Sequence, residues 1–481
     1  SPYAHDLAQM TVWIGYIQWM RTNGYHIDRD PVLRPMDNFQ NKDAILDLSD
    51  PENPKEPEWP RADYIVGNPP FLGNKKMRSE LGGDYCQVLW DTYGDRIPAT
   101  SDLCCYWFER SRHQIETGRT SRAGLLATTG IRQVGGREVL DRIKRTGQIF
   151  FAISDRDWML EGAETRISMI VFGPEDACEE CILDDEHVRT INADLTSGCD
   201  ITKAQQLQEN SGYCYMGTTK VGPFDIQDGM ATEMIHEANP HGRPNSDVIR
   251  PFRNGSDLVR RCRNRWIIDF GVDTPCDEAA LYEAPFEYIV EEVKPKRLKN
   301  RRATRAKYWW RLGETLPSWR NAARDLPRYI GTPRVSKHRV FVFLDAPVLP
   351  DSKVLGIALD SDFALGVLQS RVHEVWTLAT CAWHGVGNDA TYNPTRCFET
   401  FPFPWPPGSE PEDSPLVQAI GEAAAALDRL REEWLNPAVW TTTEVLEFPG
   451  SVDGPWARYV EDPDERGIGT VRYPRTVSAD P

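Results

Sequence analysis

With 481 residues, 40% of them apolar, the chain is long enough for two or three domains with substantial cores. No stretch approaches the ~18 consecutive apolar residues of a membrane span, and the first residues lack the basic, apolar, small-residue order of a secretory signal, so a cytoplasmic protein without membrane contact is expected. The net charge of −17 argues at first sight against a nucleic-acid partner, and eleven scattered cysteines exclude the disulfide framework of a small secreted domain.

The first element expected is an amphipathic helix over residues 4–22, with Leu7, Met10, Ile14 and Ile17 at helical spacing and a place in the core. After the polar stretch 49–60, Tyr64, Ile65 and Val66 read as a short buried parallel strand. It stops at "NPPF", Asn68 to Phe71, where two prolines forbid any continuation of the ladder. A Gly-rich loop, "LGNKKMRSELGGDY", follows. "SDLCCYWFERSRHQIETG" then reads as a helix with Ser101 as its N-cap.

"RAGLLATTG", 122–130, is the next expected strand, and "EVLDRIKRTG" a helix ending at Gly147. "IFFAISDRDW" and "TRISMIVFG" are two further strands. Alternation of strands and helices predicts an α/β layer architecture with a mostly parallel sheet. The CxxC of Cys178 and Cys181, followed by Cys199 and Cys214, is half of a zinc pattern. The later pair lacks the close spacing of ligands, so no metal is expected.

Beyond about residue 225, proline, arginine and tryptophan become common, and short strand-like runs such as "RWIIDF" and "RVFVFL" stand between turns. Here the average charge misleads. Between Lys294 and Arg339 there are fifteen Lys or Arg against two acids, Glu314 and Asp325, and residues 250–265 add six arginines against Asp257 alone. Such segregation suits an acidic body with one basic groove. "TFPFPWPPGSEPEDSP", 400–415, reads as an extended proline-rich linker. "LVQAIGEAAAALDRLREEWL" reads as one helix, and the remainder as a loosely held tail. The domains expected are therefore 1–225, 226–405 and a terminal segment 406–481.

Taken alone, NPPF fits a plain turn closing a strand. A sharper reading starts from its position, because α/β folds bind ligands at the carboxyl ends of parallel strands. The Asn68 side-chain carbonyl and the Pro69 backbone carbonyl can face one point, and two converging acceptors suit an NH2 group. Accepting both hydrogens localises the nitrogen lone pair for attack on an electrophilic carbon, while Phe71 offers a face to a planar base. His384 and the acid pairs of the tail form no nucleophile-base-acid set.

NPPF after an apolar strand resembles the catalytic motif of amino-group DNA methyltransferases. Taken together, "QWMRTNG", "DPVLRPMD", "VGNPPFLGNKKMRSELG", "DLCCYWFERSR", "WMLEGAETRISMIVFG", "RPFRNGSDLVRR" and "TYNPTRCFETFPFP" resemble the large adenine methyltransferases of type IIL restriction-modification systems, the MmeI-like family, and their phage-defence relatives. The resemblance implies a Rossmann-like class I methyltransferase sheet plus a mixed α+β target-recognition domain. S-adenosyl-L-methionine is the implied cofactor, double-stranded DNA the implied partner, and nuclease or other defence subunits further partners.

It implies Asn68, Pro69, Pro70 and Phe71 as the catalytic target-base site. Asp43 and Ala44 would hold the cofactor adenine, with Asp102 and Leu103 lining the same pocket and Asn68 at its methyl end. In the recognition domain it implies DNA contacts from Arg297, Arg301, Arg305, Arg311, Lys337 and Arg339, and from Tyr392, Asn393 and Arg396 of "TYNPTR". The family also carries a glycine-containing strand-loop and a ribose-binding acid ahead of the first helix. Neither occurs before Asn68, so an N-terminally truncated copy is expected. Adenine N6 is the expected target. The alternatives are cytosine N4 and a catalytically incomplete DNA-binding or specificity module that needs a partner chain.

Overall fold

A computed structural model describes residues 2–26, 36, 38–132, 134–160, 163–176, 178–198, 204–384 and 389–479. Cys199, most of "DPVLRPMD", and Glu161 and Gly162 of the "WMLEGA" block lie outside them, and the His384 side chain is likewise not described. The chain divides into two compact units, Ser1–Asp200 and Ile201–Pro481. Among the described residues no helix is long and apolar enough to cross a membrane.

The first unit opens with α1, Pro2–Thr22, which buries none of its residues. This corrects the expected core position. Tyr3, Leu7, Met10, Val12, Ile14, Tyr16 and Trp19 are all exposed, and they lie around the helix rather than along one stripe, so no single face concentrates the apolar surface. Its local contacts are the His5 ring against the Phe39 carbonyl and Gln9 accepting from the Met36 N–H.

Next come β1 (Tyr64–Gly67), α2 (Asn74–Leu81), α3 (Gly83–Tyr93), α4 (Cys105–Glu116), β2 (Arg122–Thr128), α5 (Val134–Thr146), β3 (Gln148–Leu160), β4 (Ala163–Gly173), β5 (Cys181–Leu183) and β6 (Glu186–Val188). The expected Gly-rich loop is two helices, α2 and α3, broken only at Gly82, whose φ of 90° suits glycine alone. The expected cap of α4 is also corrected. Ser101 is buried and its Oγ donates to the Gly135 carbonyl (2.8 Å), while α4 starts four residues later.

The six strands form one sheet in the order β1-β2-β4-β3-β5-β6. Only β1–β2 and β3–β5 are parallel; β2–β4, β4–β3 and β5–β6 are antiparallel, so the mostly parallel sheet is corrected to a mixed one. The cause is the two-residue link between β3 and β4, too short for a crossover and sufficient for a hairpin. In β1, Tyr64 (66% exposed) and Val66 (86%) face outward while Ile65 packs on the core, which corrects the expectation of a buried strand.

One side of α4 buries charge rather than apolar surface. Glu109, fully buried, accepts from Arg112 at 2.8 and 2.9 Å and from Arg142 at 3.2 and 3.3 Å, while Glu56 pairs with Arg96 and Arg110. Buried charges persist when each has a partner. Cys181 is buried and Cys178 exposed, and the described residues hold no group of three metal-ligating side chains.

The second unit carries two four-stranded sheets. One is ordered Leu349–Pro350, Ile249–Arg253, Arg265–Ile268, Asp225–Ile226; the other Val342–Asp345, Arg328–Pro333, Val354–Ile357, Cys214–Met216. The expected loose tail is instead a three-stranded antiparallel sheet, Thr441–Ser451, Ile468–Ser478 and Val460–Glu461. Its Phe448, Trp456, Val471 and Tyr473 share one core with Trp266 and Ile249. The proline-rich stretch is not a free linker either, since Phe401 is buried beside Phe363 and Val417. The helix Pro415–Leu435 forms as expected.

His373 is fully buried, with Nδ1 2.8 Å from the Leu368 carbonyl and Nε2 3.1 Å from the Tyr392 hydroxyl. Burial pushes its pKa down from 6.5 to about 4. Between those values the unfolded chain binds a proton that the folded chain refuses. Stability therefore rises with pH across this window and falls on acidification, by about 3 kcal/mol in full. His373→Gln should flatten the fall in urea midpoints measured from neutral pH to about 4.5; an unchanged slope would assign it to other groups.

Candidate functional site

The site is built at the carboxyl ends of two adjacent parallel strands. β1 and β2 pair from Tyr64↔Arg122 to Gly67↔Leu125, so Asn68 leaves the sheet beside the last turn of β2. Asn68 is exposed, and its carboxamide has no hydrogen-bond partner among the described residues. Pro69 is buried and Phe71 half-buried; the Leu72 N–H donates to the Pro70 carbonyl (3.1 Å), closing the turn after the prolines. A strand end is thus anchored on both sides of one free polar side chain.

Asp102 and Leu103 hold this turn. The Leu103 N–H donates to the Leu72 carbonyl (2.9 Å), and Asp102 Oδ1 accepts from the Asn74 N–H (3.0 Å), satisfying an unpaired donor at the start of α2. Asp102 Oδ2 lies 3.2 Å from where a Cβ on Gly130 would stand, so the same carboxylate reaches the turn after β2. Gly130, unremarked in the sequence beyond ending "ATTG", leaves room for it.

Asp43 is held elsewhere. Its Oδ1 accepts from the Ile45 and Leu46 N–H groups (2.9 and 3.0 Å) and its Oδ2 from the Tyr85 hydroxyl (2.8 Å), while the Ala44 carbonyl accepts from Trp59 Nε1 (2.7 Å). Burial and the neighbouring Asp43 charge push the Tyr85 phenol well above its ordinary value, which keeps it a donor. Tyr85 was hidden by the loop expected around it. The described contacts join Asn68–Phe71, Asp102 and Leu103 into one group and attach Asp43 and Ala44 to α3 and Trp59.

The β3–β4 hairpin overhangs this end of the sheet. β2 stops pairing at Thr128↔Ile167, but β3 and β4 continue to Leu160↔Ala163. At its base Asp155 accepts from Arg166 (2.6 Å) and Arg132 (3.3 Å), locking the hairpin to the turn after β2.

In the second unit the residues expected to meet DNA separate by exposure. Arg301 and Lys337 are exposed. Arg311 lies between Tyr308 and Trp310, 4.9 and 5.4 Å from their ring centres, and donates to the Asp273 and Thr274 carbonyls; Arg305 faces Glu314 at 3.5 Å. Arg339 is half-buried over the Tyr392 ring, donating to the Ala390 and Pro333 carbonyls.

Two of these residues lie inward. Arg297 is buried against Phe224 and donates to the Arg311 carbonyl, and Tyr392 is buried against His373. Burial and the neighbouring Arg305 push the Arg297 pKa down to about 10. Alternation of cations with aromatics cannot separate a surface clamp from arginines stacked into a core. Asn393 caps the turn Pro394–Phe398 by accepting from the Thr395 N–H (3.1 Å), and Arg396 in that turn is half-buried.

Residues 2–181 match the family model described as MmeI, DNA-methyltransferase domain, and residues 226–405 that described as MmeI, target recognition domain. Among solved structures, the type IIL restriction-modification enzyme MmeI in complex with DNA aligns with a TM-score of 0.58 at 22% identity, covering 78% of this chain and 50% of that one. The type IIG restriction endonuclease BpuSI overlaps only loosely, with a TM-score of 0.28 at 9% identity over 76% of this chain and 49% of that one. No curated protein matches the chain. The chain thus spans about half the length of the solved MmeI structure. With a mixed α/β sheet of the Rossmann-like class in the first matched segment and the recognition domain in the second, the chain belongs to the MmeI-like family.

Proposed function

We propose that the chain transfers a methyl group from S-adenosyl-L-methionine to the N6 amino group of adenine in double-stranded DNA, within a restriction-modification or phage-defence system that includes nuclease subunits or domains. The observation that carries this reading is the unpartnered Asn68 carboxamide at the carboxyl end of β1, followed by two prolines with no N–H to compete for an acceptor. Asn68 Oδ1 and the Pro69 carbonyl accept the two hydrogens of the target amino group and aim its lone pair. Phe71 stacks on the base, flipped out of the duplex. The transfer is direct, with no covalent enzyme intermediate, so the protein contributes positioning and electrostatics.

S-adenosyl-L-methionine fits the residues present in part. Asp43, Ala44, Asp102 and Leu103, with Asn68 at the methyl end, are the residues proposed to hold it; when bound it supplies the electrophilic methyl. Three donors already occupy the Asp43 carboxylate, and among the described residues β1 is the first strand. Exposed Arg301 and Lys337 are the proposed phosphate contacts, with Arg305, Arg311, Arg339, Asn393 and Arg396 shaping the surface behind them.

A second reading is favoured by one observation, the outward-facing Tyr64 and Val66 of edge strand β1. It makes the chain a DNA-binding or specificity module completed by another chain. Incubation with methyl-labelled S-adenosyl-L-methionine and mixed-sequence duplex, followed by digestion to nucleosides, separates the readings. Label in N6-methyladenine is expected. Label in N4-methylcytosine moves the target to cytosine, and DNA binding without label supports the module.

A further inference from the structure

The second unit contains a cleft of about 780 Å³ that the matched segments do not explain. One wall comes from the recognition domain, with Asp247, Arg250, Asp269, Tyr282 and Arg320. The other comes from the C-terminal sheet and the connections between its strands, with Ser451, Asp453, Arg458 and Arg466, all beyond residue 405 where the family match ends. Closing this wall is the consequence of the buried anchor Trp456, whose Nε1 donates to the Ser246 and Ile249 carbonyls (3.0 and 3.1 Å).

The cleft carries an excess of positive charge arranged on two levels. Six arginines line it against four carboxylates. On the floor, Arg320 donates to Asp269 at 2.7 Å and Arg250 lies 3.6 Å from the same carboxylate, so one buried negative charge serves two guanidiniums. Burial opposes the Asp269 charge, yet the two arginines overcome it and hold that carboxyl below its usual range. Arg250 is fixed further by the Ala346 and Pro347 carbonyls. At the rim Arg243, Arg324, Arg458 and Arg466 are exposed. Asp247 is quieted from within the cleft by Ser451 Oγ at 2.7 Å.

We propose that this cleft binds a small phosphate-bearing ligand of nucleotide size, with the phosphate drawn to the Arg250–Arg320 floor and the exposed arginines closing over it. The floor guanidiniums spend their paired donors on Pro347, Ala346, Thr315 and Asp269, so they act through charge: a floor with more cation than anion favours a dianion over water, and the exposed rim guanidiniums supply the donors that meet it. Tyr282, Val248 and Ala323 supply apolar wall for an organic moiety. A small ligand is favoured over duplex backbone because the floor side chains are only 10% and 19% exposed, below the level that a duplex riding on the surface reaches.

The test is calorimetric titration of the full chain with inorganic phosphate and with adenosine monophosphate, beside a duplex titration of the same sample. The expected result is saturable binding of both small probes, weakened about tenfold or more by Arg324→Gln and by Arg320→Met, with duplex affinity unchanged. Arg324 is exposed, so its variant keeps the test valid if Arg320→Met fails to fold. Absence of small-probe binding at millimolar concentration overturns the proposal. It is also overturned if both variants weaken the duplex and leave the small probes unaffected, which would assign the arginines to DNA backbone.

Discussion

Trp456→Ala should lower the stability of the second unit by about 3–5 kcal/mol, the usual cost of truncating a fully buried tryptophan. The ring touches Phe448, Tyr473 and Trp266 at centroid distances of 5.0, 5.1 and 5.9 Å. Its Nε1 donates to the Ser246 carbonyl in the turn before the Ile249–Arg253 strand and to the Ile249 carbonyl at its start, so both apolar area and hydrogen bonds are lost. The neighbouring bonds run the same way across this seam, with Arg475 pairing Asp228 and Glu444 while Trp266 Nε1 donates to Asp228 at 2.8 Å. A denaturant titration checks it. A shift in midpoint with an unchanged slope is expected, whereas a loss below about 1 kcal/mol would mean that the C-terminal sheet contributes little to the recognition domain.

What the sequence made legible, and what it did not, follows from how each element is stabilised. Strands β2, β3 and β4 and the helices α5 and Pro415–Leu435 were readable because local periodicity and the pattern of burial agree. The C-terminal sheet was not, since its outer face carries Glu447 and Arg472, and the inner face that buries Leu446, Phe448, Val471 and Tyr473 runs on into the charged pair Glu444 and Arg475. That dilution reads as a polar tail until a partner surface is known. α4 hid its burial for the opposite reason: Glu109, Arg110 and Arg112 look solvated, and although Glu109 and Arg112 pair within the helix, the distant Glu56 and Arg142 complete the set that buries them.

The site divides in the same manner. NPPF was legible because two prolines constrain the backbone locally, whatever surrounds them. The placement of Asp102 between the turns after β1 and β2, the Tyr85 bond to Asp43 and the inward turn of Arg297 depend on contacts between residues far apart in the chain. No local pattern carries them. Charge alone likewise does not say which of the recognition-domain guanidiniums stack on the domain's own aromatics.

Asn68→Ala should remove methyl transfer almost completely. The variant deletes one of the two acceptors proposed for the amino group while leaving the Pro69 and Phe71 backbone as it is. Losing one positioned polar group that acts in the transition state costs about 10²–10³-fold in rate. Asn68→Asp keeps an acceptor oxygen and should lose less. Neither change touches the second unit, so duplex affinity should stay as in the parent chain. Asn68 makes no hydrogen bond among the described residues, so stability should also change little.

The most direct measurement is single-turnover transfer of labelled methyl by the parent chain and Asn68→Ala, each saturated with the same duplex and with S-adenosyl-L-methionine. Label in N6-methyladenine from the parent, a rate about 10²–10³-fold lower in the variant, and equal DNA affinity are the expected results. Equal transfer rates in the two proteins, or no transfer from either, would contradict them.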